Sequence, residues 1–175
     1  MIVLGIDLSL VSTGISVLSK DVLVHSCVVK SKPIGGRPID EIIRLVTIVE
    51  NIMKIVDKYA PQIVVIEGIA FGVQKTTALS QLAGLNYLVR AGLLTRSIRF
   101  VICAPTTLKR FITGKGNAPK DHVMMEVYKH YGITALTNDI ADAIVLSKIG
   151  AMMLGDSKST VKYQKETTAL LQKQI

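Results

Sequence analysis

The sequence predicts an α/β domain built on a mixed five-stranded sheet, three antiparallel strands followed by parallel strands, with helices on both faces. Three observations carry this. Residues 1–30 hold three β-like runs separated only by short turns, with no room for a crossover helix. At Ile39 the apolar period changes from strand to helix spacing. Beyond it, two short apolar runs, QIVVIEG and SIRFVIC, are each bracketed by helical segments, as parallel additions through right-handed crossovers require.

The elements follow in order. MIVLGIDLS reads as a buried strand ending near Asp7. STGISVLSK and DVLVHSCVVK are two more, joined by a tight turn at Lys20-Asp21. SKPIGGRP, with two prolines and Gly35-Gly36, is a loop. Ile42, Leu45, Val46, Val49, Ile52, Met53 and Val56 recur at helical spacing until Ala60-Pro61. QIVVIEG is the fourth strand, and residues 76–94 form the next helix, with small residues at Ala83 and Gly84. Ser97 to Cys103 is the fifth strand, stopped before Pro105. Residues 105–112 suit a short helix and TGKGNAP (113–119) a flexible loop. Pro119 fits the first turn of a helix running to about His130. The last long helix starts near Asn138 and reaches about Leu154. Residues 1–154 thus make one domain, and 155–175 a basic C-terminal tail or a short docked helix.

Composition narrows the class. A chain of 175 residues, 49% of them hydrophobic, suits one domain with a sizeable core and is not disordered. No apolar run approaches the roughly 20 residues of a membrane helix. The start carries no cationic leader, so a cytoplasmic protein is expected. Cys27 and Cys103 lie in apolar runs and read as buried reduced thiols. His25, His122 and His130 are scattered and form no zinc pattern. The net charge is +8, unevenly spread. From Gly68 to Lys120 there is no acid, while Lys75, Arg90, Arg96, Arg99, Lys109, Arg110, Lys115 and Lys120 are all basic. Such a segment attracts polyanions, and nucleic acid is the expected partner.

The acids fall at informative places. Asp7 ends the first strand and Glu67 the fourth. Ligands of α/β sheets bind beyond the carboxyl ends of strands. In TNDIADAIVL, Asp139 and Asp142 lie one helical turn apart on one face. Thr137 or Asn138 can cap this helix, which puts Asp139 in the first turn, where the dipole favours a carboxylate. Nothing similar offsets Asp142. Taken singly, each acid has an ordinary reading as a turn, paired or cap residue. Four held together repel, and hard divalent cations such as Mg²⁺ or Mn²⁺ relieve that repulsion.

The three segments GIDLSLVSTG, VVIEGIAFG and NDIADAIVL resemble, in order and spacing, the motifs of the RuvC-type Holliday-junction resolvases of the ribonuclease H-like nuclease superfamily. The resemblance covers roughly residues 1–154, and the pattern is closer to divergent, phage-like members. Leu8-Ser9 stands where the bacterial enzymes usually carry Pro-Gly. The resemblance implies a ribonuclease H-like fold and a structure-selective endonuclease that resolves DNA four-way junctions by paired, metal-dependent nicks. It implies that Asp7, Glu67, Asp139 and Asp142 are catalytic and hold two Mg²⁺ (or Mn²⁺) ions about 4 Å apart. Lys109 and Lys120 match family lysines near the scissile phosphate, with Arg110 and Lys115 as further DNA-binding candidates. Phe71 matches an aromatic that stacks on unpaired bases. Ser9 and Thr13 suit either phosphate contact or plain turn chemistry. The two-fold symmetry of a junction implies a homodimer, to which the helix 76–93 contributes Ala78, Leu79, Leu82, Leu85, Tyr87 and Leu88.

Three alternatives stand beside this reading. A related nuclease would act on other branched DNA or on RNA. A non-catalytic nucleic-acid binder would keep the fold alone. A nucleotide-binding protein of the actin and sugar-kinase type would share GIDLSLVSTG but needs a second such domain, so no nucleotide cofactor is expected.

Overall fold

β1 (Ile2–Asp7), β2 (Ser12–Ser19) and β3 (Val22–Lys30) form the expected antiparallel meander. The computed structural model describes residues 1–69, 76–159 and 161–175. The β2–β3 turn places Lys20 and Asp21 at φ 47° and 68°, the two-residue left-handed turn that matches strand twist. Lys148 Nζ holds it, donating to the Asp21 carbonyl at 2.8 Å and to its carboxylate at 2.9 Å.

β4 (Ile63–Glu67) pairs parallel with β1, and β5 (Arg99–Cys103) pairs parallel with β4. The sheet order is β3-β2-β1-β4-β5, so the ends of β1 and β4 are neighbours. Alternate residues of β1 feed two separate cores. On one face Leu4 and Ile6 meet α1 (Pro38–Tyr59) and α2 (Thr77–Leu94) through Ile48, Ile52 and Leu85. On the other, Val3 joins Phe111, Ile144, Ile149 and Leu171. These come from α3 (Pro105–Thr113), α5 (Asn138–Met153) and α6 (Lys162–Gln172), with α4 (Lys120–Tyr131) packed alongside. Burial on both faces explains why β1 reads as a continuous apolar run instead of an alternating one.

Some details differ from expectation. Cys27 is half-buried, because β3 is an edge strand with one face open. Pro119 is the N-cap of α4, one position ahead of its first turn. Residues beyond Gly155 include α6, docked on α3, α5 and β5. Gln174 extends that docking by pairing its side-chain amide with both backbone groups of Ile102, at 2.9 Å each.

Candidate active site

Helix α5 lies directly on β1 and β2, and two glycines permit it. A Cβ on Gly5 would sit 2.0 Å from the Ala143 carbonyl oxygen, and one on Gly14 would sit 2.1 Å from that of Asp139. Ser16 closes the contact, its hydroxyl 2.9 Å from the Ala143 carbonyl and 2.6 Å from Ser147 Oγ. Thr137 caps the helix, accepting from Ile140 N at 3.2 Å. The first turn of α5 is thereby pressed against the ends of β1 and β2, carrying Asp139 and Asp142 to the strand ends that hold Asp7 and Glu67.

The four acids feel one another strongly. Burial pushes the Asp7 carboxyl up to about 10, helped by a hydrogen bond with Glu67 and by the charges of Glu67, Asp142 and Asp139. Burial and the Glu67 charge push Asp142 up to about 7, with Asp139 adding to them, while Lys120 and Lys109 pull the other way. Asp7 is hydrogen-bonded with Glu67, and Asp139 Oδ2 accepts from Ser12 Oγ at 2.5 Å. No three acids, histidines or cysteines among the described residues already stand gathered at metal-ligand distances. Cys103, paired in register with Glu67 at the end of β5, is fully buried, and its thiol is raised far above its ordinary value by burial and then by Glu67.

The β1–β2 turn is stitched by its own hydroxyls. Thr13 Oγ1 donates to the Ser9 carbonyl at 2.9 Å and accepts from Ser9 N at 3.1 Å. Ser9 Oγ accepts from Val11 N and Ser12 N at 3.2 and 3.3 Å. Both residues thus do turn chemistry, and Ser12, which sequence reasoning passed over, is the one that reaches an acid. Lys109 and Lys120 lie within Coulomb range of Asp142. Lys115 is exposed on the α3–α4 loop. Arg110 turns toward α6 instead, 2.9 Å from Glu166. Arg96 is likewise paired with Asp57 at 2.6 Å. Phe71 and Lys75 lie outside the described residues.

Cavity size does not locate this site. A cleft of about 830 Å³ opens at the N-terminal end of β5, lined by Leu94, Ile98, Phe100 and Ile175, and it carries no carboxylate side chain.

The family profile described as "Crossover junction endodeoxyribonuclease RuvC" matches residues 3–149. The chain belongs to the RuvC family. All four acids, with Lys109, Arg110, Lys115 and Lys120, fall inside the RuvC match, and α6 falls outside it. A RuvC of Bifidobacterium longum is 32% identical over 156 residues, covering 84% of this chain and 77% of its own. A RuvC of Carboxydothermus hydrogenoformans is 29% identical over 158 residues, covering 89% and 98%. Among solved structures, RuvC of Thermus thermophilus superposes with a TM-score of 0.72 at 21% identity, over 90% of this chain and 99% of that one. The T. thermophilus RuvC solved in complex with a Holliday junction substrate gives 0.71 at 23% identity, over 84% and 90%. These likenesses place the fold in the RuvC class, a mixed five-stranded sheet of ribonuclease H-like type. Among the described residues no helix is long and apolar enough to cross a membrane.

Proposed function

We propose that this chain is a structure-selective endodeoxyribonuclease that resolves DNA four-way junctions by metal-dependent hydrolysis of phosphodiesters. The observation that supports it is that Asp7, Glu67, Asp139 and Asp142, brought from β1, β4 and α5, shift one another's titration, while Lys109 and Lys120 are near enough to Asp142 to oppose its shift.

The donor set fits a hard divalent cation. Asp7, Glu67, Asp139 and Asp142 offer oxygen alone, the preference of Mg²⁺ and Mn²⁺. Burial first, and then Glu67, Asp142 and Asp139, favour a protonated Asp7 in the absence of a cation, and ligation requires that proton to leave. When bound, a pair of such ions supplies an activated water and a counter-charge for the leaving oxygen. The protein's own part is positional. Asp7 and Glu67 project from adjacent parallel strands, so sheet pairing fixes their separation. Asp139 is steadied by Ser12, and Asp142 feels both the acids and the two lysines. Lys109 and Lys120 draw the phosphate toward Asp142 and lower the cost of its charge.

The working unit is a homodimer, since a junction presents two equivalent strands. Tyr87 and Leu88 of α2 are exposed, as are Ile39, Ile42, Ile43 and Val46 of α1, and this apolar surface favours a second copy. Leu85, by contrast, is fully buried in the chain's own core.

The deciding experiment offers labelled four-way, three-way, flap, linear DNA and RNA–DNA substrates with Mg²⁺, Mn²⁺ or EDTA, beside Asp7→Asn. Junction-selective nicking that EDTA and Asp7→Asn abolish is expected. Equal cutting of linear duplex or of RNA would overturn the substrate; cutting in EDTA would overturn the chemistry.

A further inference from the structure

β5 is the last strand of the sheet, and among the described residues no strand pairs with its outer edge. A strand residue turns both its backbone groups to one side, and the next residue turns them to the other. The Cys103 carbonyl accepts from Gly68 N at 2.7 Å, so the backbone groups of Arg99, Val101 and Cys103 turn toward β4. Those of Ile102 turn outward, where the Gln174 side chain takes both at 2.9 Å each. One amide side chain thus stands where a further strand would pair. Phe100 lies two residues back on the same edge, and its outward N–H and C=O have no partner among the described residues.

A cleft of about 830 Å³ opens beside this stretch of edge, within the roughly 300–1,000 Å³ of ligand-binding clefts. Its apolar walls include Leu94 and Ile175, 71% and 51% exposed. Arg99 also lines it, exposed and paired with no acid among the described residues. The cleft lies at the N-terminal end of β5, whereas Asp7 and Glu67 stand at the C-terminal ends of the parallel strands β1 and β4. It is therefore remote from the acids.

The pleat sets the chemistry of an occupant. Ile98 and Phe100 pack toward α1 and α2, while Val101 and Cys103, which share Arg99's face, pack in the opposite core. An added strand would send alternate side chains to the apolar wall and to Arg99. A second copy pairing its own β5 antiparallel about Phe100 would bring Ile98 opposite Ile102, the place that Gln174 fills. A short segment ending beside Phe100 avoids that collision.

We propose that the outer edge of β5 at Phe100 takes an extended segment of a partner protein as an added strand, its side chains alternating apolar and acidic. Main-chain bonds to Phe100 hold it, the cleft and Arg99 select it, and Gln174 marks where it stops. The site holds or fails independently of the nuclease reading.

The probe is a short synthetic peptide alternating glutamate and valine, added to isotope-labelled protein. In the free protein the Phe100 amide should exchange readily with solvent, while Gln174 protects that of Ile102. The peptide should slow exchange at Phe100 at least about tenfold. N-methylation of one alternate set of peptide residues should abolish the effect, and of the other set should not. Arg99→Glu should weaken the glutamate peptide about fivefold, the worth of a strong exposed ion pair, and should favour a peptide with lysine in place of glutamate. No slowing at Phe100 overturns the proposal, as do equal effects of the two methylated sets. Protection of Phe100 that rises with protein concentration alone assigns the edge to a second copy, and protection by a four-way junction assigns it to DNA. Either result overturns the peptide site.

Discussion

Ser12 Oγ donates a 2.5 Å hydrogen bond to Oδ2 of Asp139, joining the β1–β2 turn to the first turn of α5 across 127 residues of sequence. The turn cannot drift, because Ser9 and Thr13 bond its backbone from within. A hydroxyl so anchored fixes one oxygen of Asp139 and leaves the other for a ligand. Losing such a supporting partner typically costs 10–100-fold in metal affinity or activity. Ser12→Ala is therefore expected to lower single-turnover junction cleavage about tenfold or more while leaving junction affinity and thermal stability nearly unchanged. Ser12→Thr, which keeps the hydroxyl, should recover most of the loss. Equal rates for Ser12→Ala and the wild type would remove Ser12 from the site.

The raised Asp7 carboxyl sets a pH dependence of stability. Folded, Asp7 holds its proton up to about pH 10; unfolded, it releases it near 3.8. Between these values the native state binds the extra proton, so metal-free stability falls as pH rises, at up to about 1.4 kcal/mol per pH unit for one such proton. Asp142, raised to about 7, adds to the slope below that pH. Calorimetry in EDTA should show Tm dropping from pH 6 to pH 8.5. Asp7→Asn should flatten the drop and raise Tm at the alkaline end. Mg²⁺ should raise Tm more at pH 8.5 than at pH 6, because its binding displaces the proton. A flat Tm in EDTA would contradict the buried, protonated Asp7.

The sequence disclosed these acids unequally. Asp7 and Glu67 could be placed because a strand ends where its apolar run ends, and Asp139 and Asp142 because three-residue spacing on a helix means one face. Ser12 could not, since a serine in a turn has many local partners and nothing in the pattern marks a bond to a residue 127 positions away. The pairing of Arg110 with Glu166 was hidden for the same reason, being 56 positions apart and dependent on how α6 docks. Gly5 and Gly14 are legible only in three dimensions. In sequence they suggest a weak or bulged strand, whereas in the fold they are the surface on which α5 rests.

That close approach is testable by volume alone. A methyl on Gly5 would meet backbone atoms of α5 at 2.0 and 2.6 Å, and backbone cannot rotate away. Gly5→Ala should destabilise by about 3 kcal/mol or more, at or beyond the upper end of overpacking costs, and should reduce cleavage by unseating Asp142. Gly36→Ala, with nothing within 4 Å of its Cβ, serves as the control and should stay within about 0.5 kcal/mol. Denaturant melts of the two variants decide the matter.

The basic residues should separate by their partners. The charges of Lys120 and Lys109 act on Asp142, while Arg110 is committed to Glu166. Lys109→Ala and Lys120→Ala are each expected to weaken junction binding and to lower the salt slope of log K by about 1. Both should also slow cleavage. Arg110→Ala should change the slope less, because its charge is already matched within the chain. Asp142→Asn should hold or raise affinity while abolishing cleavage, since it removes a negative charge beside the phosphate. A fall in affinity for Asp142→Asn would mean that the carboxylate binds DNA only through a cation.

The proposed dimer makes the last prediction. Tyr87 and Leu88 are 67% and 38% exposed, and Ile42 and Ile43 on the packed neighbour α1 are 54% and 47% exposed. None of these side chains supports the chain's own core, so charging them leaves the fold intact and tests only association. Leu88→Glu with Ile42→Glu places carboxylates in what would be the apolar centre of the contact, where an unpaired buried charge is strongly disfavoured. Sedimentation should show the wild type as a dimer at micromolar concentration and the double variant as a monomer with unchanged thermal stability. On a four-way junction the variant should lose paired cutting before it loses single nicks, because each site is complete within one chain and only their coordination needs two. A wild type that sediments as a monomer, or a charged variant that still cuts both strands together, would remove α1 and α2 from the interface.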